Sequence, residues 1–382
     1  MNVLVLGGDG YLGWPTAMHL SAHGHTVTVV DNYLRRRLAR DEDVEPLFPV
    51  PNLAERVALW QANSGHDIRL HVGDLQDWSF VEKVVRDVQP DAIVHYAEQP
   101  SAPYSMLRRE AATLTLQNNL NVTANLIFAV RELCPGAHIV KLGTMGEYGT
   151  PNIDIEEGWI EIEHNGRKQK FLYPRQAGSL YHTTKVMDTD LLWFYVRMWG
   201  LRVTDLMQGP VYGLFTDEAG SDERLLPFFS YDELFGTVLN RFIVQAVGGY
   251  PLTVYGKGGQ TRGYLDVRDT LSCVRLSVEN PPPEGELRIF NQFTETFSVN
   301  DLADKVREVG GQLGIAVEIQ NIENPRKELE EHYYNPVHTG LLDLGLKPHF
   351  LTDDVLANLM QHTGKHREAI VRHRIFRGAK WA

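Results

Sequence analysis

Short apolar runs alternate with longer helical stretches through the first half of the chain. After Asn2, residues 3–6 are all apolar, as expected of a parallel strand that is buried on both faces. Further strand-like runs lie at residues 26–30, 68–72, 92–95, 138–142 and 201–206. The intervening stretches that favour helices include residues 14–23, 79–88, 111–133 and 179–199. This alternation predicts the α/β class, with a Rossmann-type doubly wound parallel sheet.

Two changes in this pattern divide the chain. Residues 159–172 interrupt it with a polar–apolar repeat around Asn165-Gly166, which predicts a small hairpin with a tight turn. From residue 209 onward, proline and glycine punctuate shorter, mixed elements. We therefore expect a Rossmann domain at 1–208 that carries the hairpin. A smaller C-terminal α/β domain at 209–382 would be partly interleaved with it.

Composition and charge narrow the function classes. The chain has 37 basic and 49 acidic residues, giving a formal net charge of −12, which argues against a nucleic-acid-binding surface. Its apolar runs stay shorter than the roughly 18 residues of a membrane helix, so we expect no membrane partner. Cys134 and Cys273 are too few for a disulfide framework. Because the first strand begins at Asn2, we expect no targeting segment and a cytoplasmic location.

A glycine-rich turn follows the first strand and precedes the first helix. Gly7, Gly10 and Gly13 have the dinucleotide-binding spacing, in the strand–turn–helix context that this motif requires. Such glycines let a pyrophosphate approach the helix N-terminus, where backbone amides and the helix dipole favour anions. This turn, with Tyr11 and Leu12 inside it, predicts a dinucleotide site.

The residue that ends the second strand indicates which dinucleotide binds. A carboxylate at Asp31 would hold the adenosine ribose hydroxyls and repel a 2′-phosphate, so NAD is favoured over NADP. Arg35 is the first of three consecutive arginines that either alter this choice or belong to a solvated loop. Asp74 follows the third strand and is placed to meet the adenine. We assign the NAD site to these residues together with Asn32 and Leu75.

A Tyr-x-x-x-Lys pair lies farther along, on the predicted helix 179–199. Tyr181 and Lys185 are four residues apart and share one helix face. An ammonium there would stabilise the phenolate and lower the pKa of Tyr181 from its usual value of about 10. A phenolate beside a nicotinamide can remove a proton from a sugar hydroxyl while hydride leaves the carbon. The pair predicts a redox enzyme in which both residues also contact NAD.

Three more polar residues are candidates for the same chemistry. Thr144 follows the strand 138–142, where it would orient the hydroxyl that loses its proton, or it is an ordinary turn residue. Glu147 is either a general base or a carboxylate satisfied by local amides. His182, next to Tyr181, either moves protons at the substrate or is structural. The sequence leaves the last two choices open.

Other chemistries find less support in the sequence. His362 and His366 have the spacing of one helix face, but they lie among basic residues. No glutamate or cysteine completes a ligand set at a convincing spacing, so we expect no metal site. A Gly-x-Ser-x-Gly elbow, the mark of many serine hydrolases, is absent from the sequence.

Longer motifs extend this pattern over nearly the whole chain. They are residues 7–14, 101–106, 141–157, 181–185, 252–266 and 331–335. With these motifs the chain resembles the extended short-chain dehydrogenase/reductase family of nucleotide-sugar enzymes. Within it, the chain is similar to the members that join sulfite to UDP-glucose. The run Thr144-Met145-Gly146-Glu147-Tyr148 is narrower in distribution than the motif of the related 4-epimerases and 4,6-dehydratases.

The resemblance implies a reaction. Tyr181, helped by Lys185 and Thr144, would remove the O4 proton of UDP-glucose while hydride passes from C4 to NAD. The 4-ketone would acidify C5, the C6 hydroxyl would leave, and sulfite would add at C6 before hydride returns to C4. Met145, Glu147 and His182 would line the C5–C6 end of the sugar.

Further binding residues are implied by the resemblance alone. Asn118 would position the cofactor. The implied substrate contacts are Thr144, Gln208, Val211, Asn240, Arg241, Thr253, Val254, Tyr255, Gln260, Arg262 and Arg326. An arginine offers a planar fork for a diphosphate, which fits this set. The resemblance also implies a homodimer built on the helices 111–133 and 179–199.

One position departs from the sulfite-using pattern. An arginine is expected between Gln99 and Ser101, and this chain has Pro100, which removes a cation and a backbone donor. The leading hypothesis is therefore a sulfosugar synthase, and the alternative is a UDP-sugar 4- or 5-epimerase or a 4,6-dehydratase. A third hypothesis, a non-catalytic NAD sensor, is opposed by the intact Thr144 and Tyr181.

Overall fold

The computed structural model describes residues 1–325 and 332–378. The strands are β1 (Asn2–Leu6), β2 (Thr26–Asp31), β3 (Ile68–Val72), β4 (Ala92–His95), β5 (His138–Thr144), β6 (Trp159–His164), β7 (Arg167–Leu172), β8 (Arg202–Gln208), β9 (Val211–Tyr212), β10 (Leu252–Tyr255), β11 (Thr261–Asp266), β12 (Leu287–Gln292), β13 (Glu295–Ser298) and β14 (Ile319–Ile322). The helices are α1 (Gly13–Ala22), α2 (Leu34–Asp41), α3 (Leu53–Ser64), α4 (Trp78–Val88), α5 (Ala102–Ser105), α6 (Arg109–Leu133), α7 (Leu180–Trp199), α8 (Val238–Gly248), α9 (Val267–Glu279), α10 (Val299–Gln312), α11 (Gly340–Asp343), α12 (Asp353–Lys365) and α13 (Arg372–Ile375). Short 3₁₀ turns span Met145–Glu147, Glu223–Leu225 and Arg367–Ala369.

The predicted apolar runs pair side by side in one parallel sheet. Among the described residues this sheet has seven strands in the order β12-β8-β5-β4-β1-β2-β3. Every neighbouring pair runs parallel. The chain reverses its direction of winding between β1 and β4, and ligands bind at such a switch point in open α/β sheets. The predicted doubly wound α/β class is confirmed.

Alternation along β1 shows why the sheet is covered on both faces. Val3 and Val5 pack into a core that includes residues of α1 and α9. Leu4 and Leu6 point the other way, into a core with residues of α4, α6 and α7. Successive side chains of a strand face opposite sides, so a continuously apolar strand needs a helical layer on each.

The second half of the chain contributes to both parts of the molecule. Strand β12 joins the edge of the central sheet beside β8. Two smaller sheets, β10-β14 and β13-β11-β9, lie outside it. Residues of α8, α10 and α12 share one apolar core with residues of α1. The domain boundary at residue 208 stays a prediction.

A two-stranded antiparallel hairpin follows β5. Strands β6 and β7 pair from Trp159–Leu172 at one end to His164–Arg167 at the other. Asn165 and Gly166 form the connection with φ of 52° and 73°, the left-handed conformations that a tight hairpin turn requires. The Trp159 ring contacts the Trp193 ring of α7 at 5.0 Å, which anchors the hairpin to that helix.

The helices of the described residues are too short or too polar to span a membrane. Within residues 1–325 and 332–378, none combines the length and the apolar character needed to cross a bilayer. The cytoplasmic location stays a prediction.

Candidate active site

A cavity of about 650 Å³ lies at the carboxyl edge of the central sheet. Residues from both halves of the chain line it, and its size suits a cofactor and a substrate in contact. The predicted residues that line it are Gly7, Gly10, Tyr11, Leu12, Gly13, Asp31, Asn32, Arg35, Asp74, Leu75, Asn118, Thr144, Met145, Tyr181, His182, Gln208, Val211, Asn240, Arg241, Thr253, Tyr255, Gln260 and Arg262. The structure therefore brings the predicted cofactor and substrate residues to one place.

Four predicted residues do not follow this arrangement. The side chains of Glu147 and Lys185 are buried outside the lining. Val254 packs into the core, because alternation along β10 turns Thr253 and Tyr255 to the cavity and Val254 away from it. The substrate contact expected for Val254, which would be made by its backbone, stays a prediction. Arg326 lies outside the described residues.

The glycine turn is packed as tightly as its motif implies. A Cβ atom on Gly13 would lie 2.0 Å from the carbonyl oxygen of Gly7, so no larger residue fits there without moving the backbone. Gly7 has a φ of +86° and donates its N–H to the carbonyl of Val30 at 2.8 Å. The turn thus crosses from β1 to the beginning of α1 and leaves the helix N-terminus open to the cavity.

The Asp31 carboxylate is fixed by two backbone amides. Its oxygens accept from the N–H of Asp9 at 2.9 Å and from the N–H of Tyr33 at 2.6 Å. Burial, and then the negative charge of Asp9, raises the pKa of Asp31 to about 6. At neutral pH the group is therefore ionised and can accept hydrogen bonds from hydroxyl groups.

The neighbouring arginines have separate partners. Arg35 donates to the Ser230 hydroxyl at 2.6 Å, and its guanidinium carbon lies 3.6 Å from the Phe235 ring centroid. Burial lowers the pKa of Arg35 to about 10, so it stays charged at neutral pH. Arg36 pairs with Asp9 at 2.8 Å. The solvated-loop interpretation is therefore wrong for Arg35, which lines the cavity.

Thr144 and His182 are held beside each other by local contacts. The Thr144 hydroxyl accepts from the N–H of Gly146 at 3.1 Å, which caps the 3₁₀ turn after β5. A Cβ atom on Gly146 would lie 2.4 Å from Nε2 of His182, so the imidazole packs directly on this backbone. Nδ1 of His182 lies 3.0 Å from the hydroxyl of Ser179. These contacts fix the orientation of the ring at the cavity wall.

The Tyr181–Lys185 pair is arranged differently from the expectation. Nζ of Lys185 donates to the Leu142 carbonyl at 2.6 Å and pairs with the Glu98 carboxylate at 2.7 Å. It lies 5.9 Å from the Tyr181 ring centroid. Burial, and then the charge of Glu98, raises the pKa of Tyr181. The predicted lowering of this pKa is therefore wrong here, because burial and then the negative charge of Glu98 disfavour the phenolate.

Glu147 is held by local contacts, which is the second of the two roles that the sequence left open for it. It accepts from the N–H of Thr144 at 3.2 Å. It also lies 3.5 Å from Nζ of Lys141 and 3.6 Å from a guanidinium nitrogen of Arg175. The side chain has no exposed surface and is absent from the cavity lining, so it does not meet a ligand in this cavity.

The predicted substrate residues form a polar wall. Arg241 donates to the Thr253 hydroxyl at 3.0 Å, and its guanidinium carbon lies 5.1 Å from the centroid of the Tyr255 ring. Arg262 lies 2.8 Å from Nε2 of His332. Two positively charged groups therefore reach this end of the cavity, which suits an anionic ligand.

The wall is completed by amide side chains. The Asn240 amide oxygen accepts from the N–H of Gly213 at 3.2 Å, and its nitrogen lies 3.4 Å from the Tyr11 hydroxyl. Gln208 lies 3.1 Å from the amide oxygen of Gln292. Gln260 donates to the Tyr255 carbonyl at 3.3 Å. These bonds fix the side chains before any ligand arrives.

Glu98 is the residue that sequence reasoning missed. It lies three residues beyond the last residue of β4, as Thr144 ends β5, and its side chain is 2 % exposed. The rule that functional groups gather at the carboxyl ends of parallel strands would have identified it. Other lining residues without a sequence signal are Phe228, Ser230 and Phe235, which come from loops of the second half.

Comparison with known proteins agrees with this geometry. Residues 3–291 match the NAD dependent epimerase/dehydratase family. The chain is 50 % identical over 380 residues to the chloroplastic UDP-sulfoquinovose synthase of Spinacia oleracea, covering 100 % of this chain and 79 % of the relative. It is 49 % identical over 349 residues to the UDP-sulfoquinovose synthase of Sulfolobus acidocaldarius, covering 91 % of this chain and 88 % of the relative.

Solved structures show the same fold at lower identity. The UDP-glucose 4-epimerase of Thermotoga maritima, crystallised with UDP-glucose, superposes with a TM-score of 0.70 at 20 % identity, covering 96 % of this chain and 99 % of the epimerase. The UDP-glucose 4-epimerase of Thermus thermophilus, in complex with NAD, gives a TM-score of 0.66 at 24 % identity, covering 95 % and 99 %. The chain is an enzyme of the NAD dependent epimerase/dehydratase family and belongs, within it, with the UDP-sulfoquinovose synthases.

Proposed function

We propose that this enzyme is an NAD-dependent UDP-sulfoquinovose synthase, which converts UDP-glucose and sulfite to UDP-sulfoquinovose and water. The observation that carries the proposal is the single cavity. It joins the glycine turn and Asp31 at one end, Thr144 and Tyr181 in the middle, and a positively charged polar wall at the other. Identity of about one half to two synthases over most of the chain supports the same substrates.

The residues at the glycine turn fit NAD. The α1 N-terminus would bind the pyrophosphate, and the ionised Asp31 would accept hydrogen bonds from the ribose hydroxyls. Asn32, Arg35, Asp74, Leu75 and Asn118 would complete the site. NAD bound there supplies a ring carbon that accepts a hydride and later returns it.

The polar wall fits the nucleotide sugar. Arg241 and Arg262 would pair with the diphosphate, because a guanidinium offers parallel N–H groups to phosphate oxygens. Thr253 and Tyr255 would receive the uridine, and Gln208 and the other amide side chains would bind the sugar hydroxyls. With the diphosphate and the uridine bound in this way, the hexose would lie between the polar wall and Tyr181.

The central residues then divide the proton transfers. Tyr181 takes the O4 proton while Thr144 holds that oxygen. The 4-ketone makes the C5 proton acidic, and His182 removes it and passes it to the departing C6 hydroxyl, which leaves as water. Met145 lines this end of the cavity. Hydrogen sulfite adds through sulfur to C6 of the unsaturated ketone, its proton goes to C5, and reduction at C4 restores the alcohol.

The proposed reaction is tested with UDP-glucose in the presence and absence of sulfite. We expect a sulfite-dependent sulfonated UDP-hexose, separated by anion exchange and identified by mass spectrometry. Tyr181→Phe keeps the ring but removes the base, so kcat should fall by about 10²–10⁴-fold. A 4-keto sugar or a C4 or C5 epimer formed without sulfite would instead establish the epimerase or dehydratase alternative.

Glu98 sets the charge beside Tyr181 in this proposal. It holds the Lys185 ammonium and adds negative charge that raises the pKa of Tyr181. In Glu98→Gln that charge is gone while Lys185 keeps its bond to the Leu142 carbonyl. The pKa of the tyrosine should therefore fall, because the carboxylate no longer opposes formation of the phenolate.

We expect the acidic limb of the pH profile of kcat/KM for Glu98→Gln to move to lower pH. The free energy of unfolding should also fall by about 3–5 kcal/mol, because the variant breaks a buried ion pair. Glu110→Gln, at an exposed glutamate on α6, is the matched control and should change neither quantity. An acidic limb that stays in place or moves up would show that Glu98 does not tune Tyr181.

Pro100 is the residue that favours the alternative function. It is exposed at the cavity wall, where the sulfite-using pattern has an arginine. We expect Pro100→Arg to lower the KM for sulfite by about tenfold, because a charge-assisted hydrogen bond to an anion contributes about 1.5–3 kcal/mol. Pro100→Gln restores the backbone N–H without adding a charge, so it separates the effect of the charge from that of the backbone donor. If both variants change KM equally, or neither does, no missing cation limits sulfite binding.

We also propose that the enzyme is a homodimer formed through α6 and α7. Phe128 of α6 and Met187, Phe194 and Met198 of α7 are 40 %, 40 %, 46 % and 57 % exposed. The spacing of the three α7 residues places them on one helix face. Large apolar side chains on neighbouring helices form the type of surface that a second subunit covers.

The dimer surface is tested with a charge at its centre. Phe194→Lys should convert the dimer to a monomer, because pairing would bury an uncompensated charge in each subunit. Light scattering coupled to size-exclusion chromatography measures the mass. Phe350→Lys changes a phenylalanine that is 54 % exposed outside these helices, and should remain dimeric. Equal masses for both variants would place the interface elsewhere.

A further inference from the structure

Two histidines and a glutamate converge far from the cavity. His362 lies in the last turn of α12, His366 follows that helix, and Glu223 begins a 3₁₀ turn after β9. Nε2 of His366 lies 3.1 Å from one Glu223 oxygen, and Nε2 of His362 lies 3.6 Å from the other. One donor atom from each residue falls within 4.8 Å of the others. The fold therefore brings a carboxylate to His362 and His366, whose own stretch of sequence has none at a suitable spacing.

These separations suit a tetrahedral metal ion. Ligand atoms about 2.0–2.1 Å from a zinc ion lie roughly 3.3 Å from one another at the tetrahedral angle. The nitrogen–oxygen distances, 3.1 Å from His366 to one Glu223 oxygen and 3.6 Å from His362 to the other, are close to that value. Two imidazoles and one carboxylate form a familiar zinc ligand set, with water in the fourth position.

The surroundings preorganise the two imidazoles. The Phe48 ring centroid lies 5.2 Å from that of His362 and 4.8 Å from that of His366, and Phe215 contacts His362 at 4.9 Å. The His362 side chain is 9 % exposed, and within the described part of the chain its Nε2 has no hydrogen-bond partner.

A second histidine cluster provides a contrast. His19, His23 and Glu218 also lie near one another. However, Nδ1 of His19 is only 2.6 Å from the Glu218 carboxylate, which is a direct hydrogen bond and too close for two ligands of one zinc ion. Nδ1 of His23 already bonds the His19 carbonyl at 2.7 Å. The 2.6 Å separation of His19 and Glu218 is therefore shorter than a shared zinc ion requires.

We propose that Glu223, His362 and His366 form a zinc site that joins the C-terminal helix α12 to the dinucleotide-binding half. The 3₁₀ turn of Glu223 connects with that half through two contacts. Trp14, next to Gly13 of the glycine turn, donates to the Leu225 carbonyl at 3.1 Å. Asn63 of α3 donates to Asp222 at 2.9 Å. Zinc would thus hold α12 against the elements that contact the glycine turn.

The experiment measures zinc directly on tag-free, full-length protein. After zinc loading and dialysis, inductively coupled plasma mass spectrometry should find about one zinc per chain in the wild type. Glu223→Gln and His366→Ala should each weaken zinc affinity more than about tenfold, measured by competition with a coloured chelator. Both residues are partly exposed, so the variants should fold. Glu218→Gln is the matched control and should keep the wild-type affinity.

Thermal unfolding provides an independent readout. At a free zinc concentration about 100 times Kd, the unfolding equilibrium constant of the wild type should fall about 100-fold, and Tm should rise. Glu223→Gln should show no such rise. The proposal is overturned if the wild type retains no zinc, if Glu223→Gln binds it unchanged, or if Glu218→Gln is the variant that loses it.

Discussion

The buried ammonium of Lys141 holds the helix that carries Tyr181 against the central sheet. Its Nζ donates to the Lys185 carbonyl at 3.0 Å and the Thr189 hydroxyl at 2.7 Å, both on α7. It also pairs at 3.2 Å with Asp205 on β8. A fully buried charge must keep its partners, because leaving it unpaired would be strongly destabilising. The position of Tyr181 at the cavity therefore depends on this lysine.

A second buried ion pair, between Lys185 and Glu98, also connects α7 with the sheet. Lys185 extends from α7 to Glu98 in the loop after β4 and to the Leu142 carbonyl of β5, so two lysines connect this helix with the sheet. Because burial and then the charge of Glu98 raise the pKa of Tyr181, its phenol stays protonated until further positive charge arrives. In the proposed function, oxidised NAD brings that charge, which would couple the base to the occupied site.

Local sequence patterns were sufficient where a function depends on adjacent residues. The apolar β1, the glycine turn and the beginning of α1 form one continuous segment, and Asp31 follows from the end of β2. In β10, strand alternation turns Thr253 and Tyr255 toward the cavity and Val254 away from it. The sequence of this short strand does not show which of its two faces meets the cavity. Glu147 could not be assigned because its partners Lys141 and Arg175 come from different segments.

The sequence by itself determined the doubly wound sheet, the family and the set of groups at the strand ends, because periodicity and motif spacing are local properties. Only the tertiary structure decided how charges pair, since that depends on distances between segments far apart in the chain. It placed Glu98 rather than Tyr181 against Lys185, and it brought Glu223 to His362 and His366. Burial then set the pKa values, because desolvation exists only once the chain has folded.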